Sequence, residues 1–387
     1  MLLRSLMSAS STRTNQPARE DHTASTFTST AIAKQRLQQA QWSQSMYWSM
    51  RLLLACLCSA LMLSCSHARS QESVLTDRIH PGTLGPVGCG PIRKVVQRLV
   101  IDRPGVYENY LVDGQWGDHT LVQIKADGVV LRNCEIRNGT RNAVTVYAKD
   151  VVIEGCKIHH ALAGSFQQQK DAHGITGRPI RLVIRNCDIG LVSGDAIQFD
   201  PGRGVWDEVL IEHCTLWTGP LPEDAAAFRR GQRPGENALD TKQIATNPRS
   251  RITVRNCLMY GWNQPAQINN AAALNLKNHI AATVENCVFR DNEIALRLRG
   301  QIDERGGAQV SISNCAVYDS QYALRIEDRP ERVQVQRLGM GHGTAQLLRV
   351  VGAQRVQLLP IDSYPAPPFE QLMEHGLIPS EQTALAD

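Results

Sequence analysis

VVLRNCEI, residues 129–136, is a phrase that the chain goes on to repeat. It returns as VVIEGCKI (151–158), LVIRNCDI (182–189), VLIEHCTL (209–216), ITVRNCLM (252–259), ATVENCVF (282–289) and VSISNCAV (310–317). The cysteines stand at 134, 156, 187, 214, 257, 287 and 315, in steps of 22, 31, 27, 43, 30 and 28 residues. Self-similarity near this period marks a solenoid, whose units bury their apolar faces only against one another. Ahead of each cysteine, apolar and β-branched residues alternate with polar ones, which predicts a strand. The residue just before the cysteine is Asn133, Gly155, Asn186, His213, Asn256, Asn286 or Asn314. These residue types tolerate a left-handed backbone best, so a tight bend is expected at that place in every coil. After the bend, the cysteine and the apolar residue two further on face inward again.

A second phrase recurs between these strands: NAVTVY (142–147), HGITGR (173–178), DAIQFD (195–200), NALDTK (237–242), AALNLK (272–277), IALRLR (294–299) and YALRIE (322–327). Aligned on its small residue, the inward column reads Val144, Ile175, Ile197, Leu239, Leu274, Leu296 and Leu324. The first outward column reads Thr145, Thr176, Gln198, Asp240, Asn275, Arg297 and Arg325. The second reads Tyr147, Arg178, Asp200, Lys242, Lys277, Arg299 and Glu327. Two strand phrases per coil with a bend in one of them form the pattern of an all-β fold, a single-stranded right-handed parallel β-helix with terminal caps. Over about 110–340 the chain resembles the pectate-lyase-like superfamily, and that resemblance speaks to fold more than to activity. The cysteines then form an inward ladder at ~4.8 Å spacing. Parallel stacked thiols do not readily reach disulfide torsions or converge on a metal, so they are expected to act as small buried hydrophobes.

The 387 residues hold 41 Lys+Arg against 37 Asp+Glu, a formal charge of +4, with 42% apolar residues. That excludes a disordered chain and a collagen, and the unclustered charge gives no nucleic-acid signal. Residues 1–49 form a polar lead without period. Leu52 to Leu63 is an apolar run too short to span a bilayer as a helix and suited to a secretory signal at 50–68, with a lipid anchor at Cys65 as the lesser alternative. The expected mature protein is exported, periplasmic or extracellular, without a transmembrane segment and monomeric. Residues 1–68 carry six of the basic and two of the acidic residues, so the remainder has 35 of each sign. Function therefore rests on local charge. Residues 69–110 are expected to cap the first coil, with Ile92–Val100 as a short amphipathic element. The β-helix proper is assigned to 111–345, and 346–387 to a degenerate last coil and a cap helix starting near Pro367.

From each cysteine to the next small residue the chain takes 9, 18, 9, 24, 16, 8 and 8 residues. The three long connections all lead into the second phrase, just before His173, Asn237 and Ala272, and should wall a groove along it. The plain alternative for that face is a solvated salt-bridge ladder. A groove lined by cations and carboxylates suits an acidic polysaccharide. A lyase takes the proton α to a uronate carboxylate, which needs the carboxylate neutralised and a base; a Lys whose pKa is depressed by cations nearby can serve. Lys242, with Lys277 and Arg299 on the next coils, has such neighbours, although Asp200 and Asp240 oppose the shift. Carboxylates on adjacent coils can also hold Ca²⁺, which takes roughly six to eight oxygen ligands.

The segment Asn237-Ala-Leu-Asp-Thr-Lys242 resembles the strand of family-nine pectate lyases that bears a calcium-ligating Asp and, five residues later, the catalytic Lys. The resemblance implies that Lys242 is the base, and it puts Asn237, a neutral oxygen ligand, where that Asp would be. The candidate metal set is Asp195, Asp200, Asn237 and Asp240, with Asp171 and Glu236 as further carboxylates. His173 is a second acid/base or a loop hydrogen-bonder. Arg178, Gln198, Asn275 and Arg297 on the outward columns, Arg233 in the longest insertion and Trp262 beside an inserted loop are the candidate substrate contacts. Two alternatives remain: a glycoside hydrolase of the same fold, which needs carboxylates flanking the bond, and a carbohydrate-binding surface protein without catalysis.

Overall fold

The structure, a computed structural model, describes residues 91–202, 204–263, 271–300, 306–352 and 357–374. The polar lead, the expected signal and Cys89 lie outside them. Among the described residues, eighteen strands join one curved sheet and ten join a second, and both are paired in parallel. The ten-stranded sheet follows chain order from Leu99–Ile101 to Gln346–Val351, one strand per coil. Parallel neighbours need a crossover rather than a hairpin, so the chain must wind once between them. The result is the parallel β-helix that the two phrases predict.

All seven residues ahead of the cysteines adopt the left-handed conformation, with φ between 51° and 58°. The thiols behind them are free and buried. Each sulfur sits 3.1–3.4 Å from the carbonyl oxygen two residues back. Burial pushes the Cys287 thiol well above its usual pKa, so it stays protonated and packs as an apolar group. The inward column from Val144 to Leu324 is fully buried in one continuous core.

Winding starts within the stretch expected to be a single amphipathic element. Lys94–Val96 and Leu99–Ile101 are two separate strands, paired in parallel with Tyr110–Asp113 and Val122–Ile124. They bear neither phrase, because this coil has no cysteine to mark it. At the other end, Phe369–Glu374 is a short helix after Pro367 and Pro368, with Phe369 and Leu372 buried and Phe369 edge-on to Tyr318 at 5.3 Å.

The outer surface of the eighteen-stranded sheet carries a charge ladder. Glu108, Arg132, Glu154, Arg185, Glu212, Arg255 and Glu285 stand in register on successive coils. Arg132, Arg185 and Arg255 reach back to Glu108, Glu154 and Glu212 at 2.6, 2.5 and 2.7 Å. The solvated salt-bridge ladder exists, then, but on the other sheet from the one where it was expected.

Candidate functional site

The ten-stranded sheet aligns the second phrase as the sequence predicts. Thr145, Thr176, Gln198, Asp240, Asn275, Arg297 and Arg325 are consecutive register partners, and Lys277, Arg299 and Glu327 follow in the second column. This outward surface is not a solvated one. Asp240 and Asn275 are each 3% exposed, and the side chains of Lys277 and Arg297 only 16% and 13%.

Along the entrance of these strands runs a chain of hydrogen bonds from coil to coil. Asn142 Oδ1 accepts from the His173 N–H at 2.9 Å, and His173 Nδ1 from the Asp195 N–H at 2.9 Å. Asp195 Oδ1 accepts from Asn237 Nδ2 at 2.7 Å, while Asn237 Oδ1 accepts from the Ala272 N–H at 3.2 Å. These side chains satisfy backbone donors where the connections of unequal length join a strand, and buried donors need such partners. Beyond Asn237 the column turns apolar, as Ala272, Ile294 and Tyr322.

That ladder corrects three assignments. His173 uses Nδ1 as an acceptor for a backbone N–H, so its proton sits on Nε2 and neither nitrogen offers a lone pair to a substrate. Burial drives its pKa to about 4, which keeps the ring neutral. Asp195 is fully buried, with its second oxygen accepting from Gln198 Nε2 at 2.8 Å. Burial, with the charges of Asp240 and Glu236 beside it, raises its pKa well above the usual range. Asn237 spends both ends of its amide inside the ladder.

The charged centre lies one step further along the strands. Lys277 Nζ is 2.9 Å from Asp240 Oδ1, and Lys242 Nζ is 3.6 Å from Asp240 Oδ2 and 3.5 Å from Asp200 Oδ2. Lys242 remains reachable, with a third of its side chain exposed. The expected depression of its pKa is reversed. Burial lowers it, but Asp240, Asp200 and Asp195 outweigh that and hold the ammonium above its ordinary value. Asp240 moves upward because burial outweighs the two ammoniums. Half-buried Glu236 also moves upward, through burial and the charges of Asp171 and Asp240.

On the following coils arginines replace lysines. Arg297 and Arg299 meet Glu327 Oε2 at 2.8 and 3.2 Å, and Arg325 meets Oε1 at 2.6 Å. Burial raises the Glu327 pKa, but the arginines bring it below the usual value overall. Arg299 also reaches Asp328 at 3.2 Å, and Arg349 bonds the Tyr322 hydroxyl at 2.5 Å. Glu327 as the anchor of three arginines was not foreseen as a site residue, although the second column already held it. Arg349 lies in a coil too degenerate to align.

The remaining candidates divide. Arg178 lies over the Tyr147 ring, 5.1 Å from its centroid. Gln198 is held by Asp195. Arg233 is drawn into structure, its Nη1 donating to Gly261 O at 2.5 Å and to Asp291 at 3.0 Å, so it pins an insertion to the next coil. Trp262 is 1% exposed and part of the core, which removes it as a stacking platform for a sugar. The insertions are also tied to one another, since the Gly235 N–H donates to Gln169 Oε1 at 3.0 Å.

Calcium fits this donor set poorly. Asp195 and Asn237 are committed to N–H donors, Asp240 to two ammoniums, and Asp200 Oδ1 accepts from the Gly202 N–H at 2.9 Å. Among the described residues no group of three or more His, Cys, Asp or Glu is arranged to hold a metal ion. No helix among them is long and apolar enough to cross a membrane.

No protein-family model and no curated relative matches the chain. Solved structures similar to it include two lyases. One is an alginate lyase from Paenibacillus sp. str. FPU-7, with 13% identity and a TM-score of 0.45, covering 75% of this chain and 97% of that one. The other is pectate lyase Pel9A, with 12% identity and a TM-score of 0.45, covering 78% and 77%. At these values neither likeness bears on activity.

Proposed function

We propose that the protein is an exported lyase of a uronate-containing polysaccharide, working by β-elimination with Lys242 as base. The observation that supports it is the column of Lys242, Lys277 and Arg299 on three successive turns of a partly buried sheet face, with Arg297 beside it on the last turn. Lys277 and the arginines would draw charge from the substrate carboxylate and acidify the adjacent C–H. Lys242 takes that proton, the electron pair forms the ring double bond, and the 4-linked oxygen leaves, protonated from solvent. Because Asp240 and Asp200 hold Lys242 protonated, the base form grows with pH and turnover should rise into the alkaline range. Export would follow from the signal expected at 50–68, and the mature chain would act as a monomer.

The test is a screen of pectate, alginate and glycosaminoglycans for products absorbing near ~235 nm, the signature of a uronate unsaturated by base-promoted elimination. Absorbance on one polymer that Lys242→Ala abolishes, with fold and polymer binding retained, supports the proposal. Retained turnover in that variant sinks the assignment of the base. A hydrolase reading draws on the raised pKa values of Asp240 and Glu236, since a hydrolase needs a carboxyl kept protonated. Reducing-end release without absorbance selects it.

A further inference from the structure

We infer that the acidic centre of the groove is closed to calcium, because the Lys277 ammonium seated on Asp240 is its built-in cation. Ca²⁺ needs roughly six to eight oxygens at about 2.3–2.6 Å, several of them anionic. Most of the oxygens of this centre already have a donor or an ammonium beside them. Both oxygens of Asp195 accept amide hydrogens from Asn237 and Gln198, at 2.7 and 2.8 Å. The Asn237 oxygen accepts a backbone N–H. Asp240 is 3% exposed, and its Oδ1 has an ammonium 2.9 Å away. A dication bound to that oxygen would stand beside a fixed positive charge in a poorly solvated place, where like charges repel strongly.

Lys277 is placed for this by the fold. It ends the Ala272–Lys277 strand one coil beyond Asp240, and its backbone N–H donates to Thr241 Oγ1 at 3.1 Å. Its position is therefore anchored to the strand that carries Asp240. The same coil shows what its removal would release. Asn275 is the register partner of Asp240, and its buried Oδ1 has no hydrogen-bond partner. Without the Lys277 ammonium, Asp240 Oδ1 and the Asn275 Oδ1 of the next coil would be two buried oxygens with no cation in contact on that side, Lys242 staying 3.6 Å from Asp240 Oδ2 and Asp200 at the rim. Those are ligands of the kind a hard cation selects.

The inference concerns the site of the proposed reaction, but its test reads binding rather than turnover, so either can fail without the other. Full-length protein freed of metal by chelator is titrated with CaCl₂ by calorimetry and followed by thermal unfolding. Wild type is expected to show no saturable heat and no change in Tm. Lys277→Ala is expected to lose several degrees in Tm without calcium and to regain them with it, alongside a saturable heat that adding Asp240→Asn removes. Calcium that binds wild type and raises its Tm, through a site that Asp240→Asn destroys, overturns the inference without recourse to any Lys277 variant. A folded Lys277→Ala that gains no affinity for calcium overturns it as well.

Discussion

The two outward faces of this solenoid carry charges at the same coil-to-coil spacing and use them in opposite ways. On the eighteen-stranded sheet, glutamate and arginine alternate over seven coils, so each interior rung has an opposite charge above and below it. Its closest pairs keep 13–44% of their side chains exposed. On the ten-stranded sheet, like residues are grouped instead. Carboxylates stand on the coils of Asp200 and Asp240, lysines on those of Lys242 and Lys277, and arginines beyond. The ladder face satisfies charge locally in water, where pairs add little stability but also cost little. The ten-stranded face instead shares its buried carboxylates among several cations, which carries a desolvation penalty that a merely structural surface has no reason to bear.

The pKa directions make that contrast visible. Asp195, Asp240 and Glu236 are all pushed upward, with burial as the largest cause in each. A carboxyl whose folded pKa exceeds its unfolded value holds its proton more tightly in the folded chain. Its contribution therefore weakens stability as pH rises from the usual carboxylate range through the raised value. Glu327 runs the other way: its lowered pKa adds stability above the ordinary Glu value, lost as pH falls through the folded one.

The sharpest way to break the comparison is Lys242→Ala. If the grouped charges serve elimination, turnover should fall by roughly 10²–10⁴-fold, the usual share of a positioned base. Circular dichroism and polymer binding should be unchanged. A variant as active as wild type would leave the groove as unexplained burial. Next in size is Glu327→Gln, which leaves Arg297, Arg299 and Arg325 converging on a neutral amide. Removing one partner of a buried ion pair costs about 3 kcal/mol or more; because Arg299 keeps Asp328, urea unfolding should lose at most about that much stability at neutral pH, and the loss should shrink toward acid. A cost below about 1 kcal/mol would place this cluster with exposed pairs.

Much of this was legible in the sequence. The cysteine phrase fixes the bend, and the small residue of the second phrase aligns both outward columns with the observed register. What stayed hidden depended on burial and on partners. His173, Asp195 and Asn237 look like a catalytic line, yet each meets a donor from another coil, which spacing within one phrase does not reveal. Trp262 sits beside an insertion in sequence and inside the core in space. The sign of the Lys242 shift required knowing that Asp200 and Asp240 both lie within 3.6 Å of its ammonium. The alternating ladder, by contrast, was there to be read: the residue two before each of the first six phrase cysteines runs Arg132, Glu154, Arg185, Glu212, Arg255, Glu285, and only the seventh breaks it with Ser313.

A smaller effect sharpens the electrostatics of the groove. Asp200→Asn removes the most exposed of the three carboxylates that hold Lys242 protonated, leaving the buried Asp240 and Asp195 in place. The pH–rate profile should keep its shape while its alkaline limb moves to lower pH by about half a unit to one unit, the scale of one partly screened charge. Activity at neutral pH should then rise. A profile that does not move would mean that another group, not Lys242, gives up its proton to become the base.

The smallest expected effect is on the ladder, and it tests why the faces differ. Arg185 bonds Glu154 and stands in register with Glu212, but neither acid depends on it alone: Arg132 lies beside Glu154 and Arg255 beside Glu212. Arg185→Ala should therefore cost less than about 1 kcal/mol, and added salt should shrink even that by screening. Arg185→Glu is the stricter probe. It sets three carboxylates in a row at ~4.8 Å spacing, so its larger cost should relax as ionic strength rises. If Arg185→Ala cost as much as Glu327→Gln, exposure would not be what separates the faces. The mismatch of charge in the groove would then lose its energetic meaning, and with it the reason to look for function there.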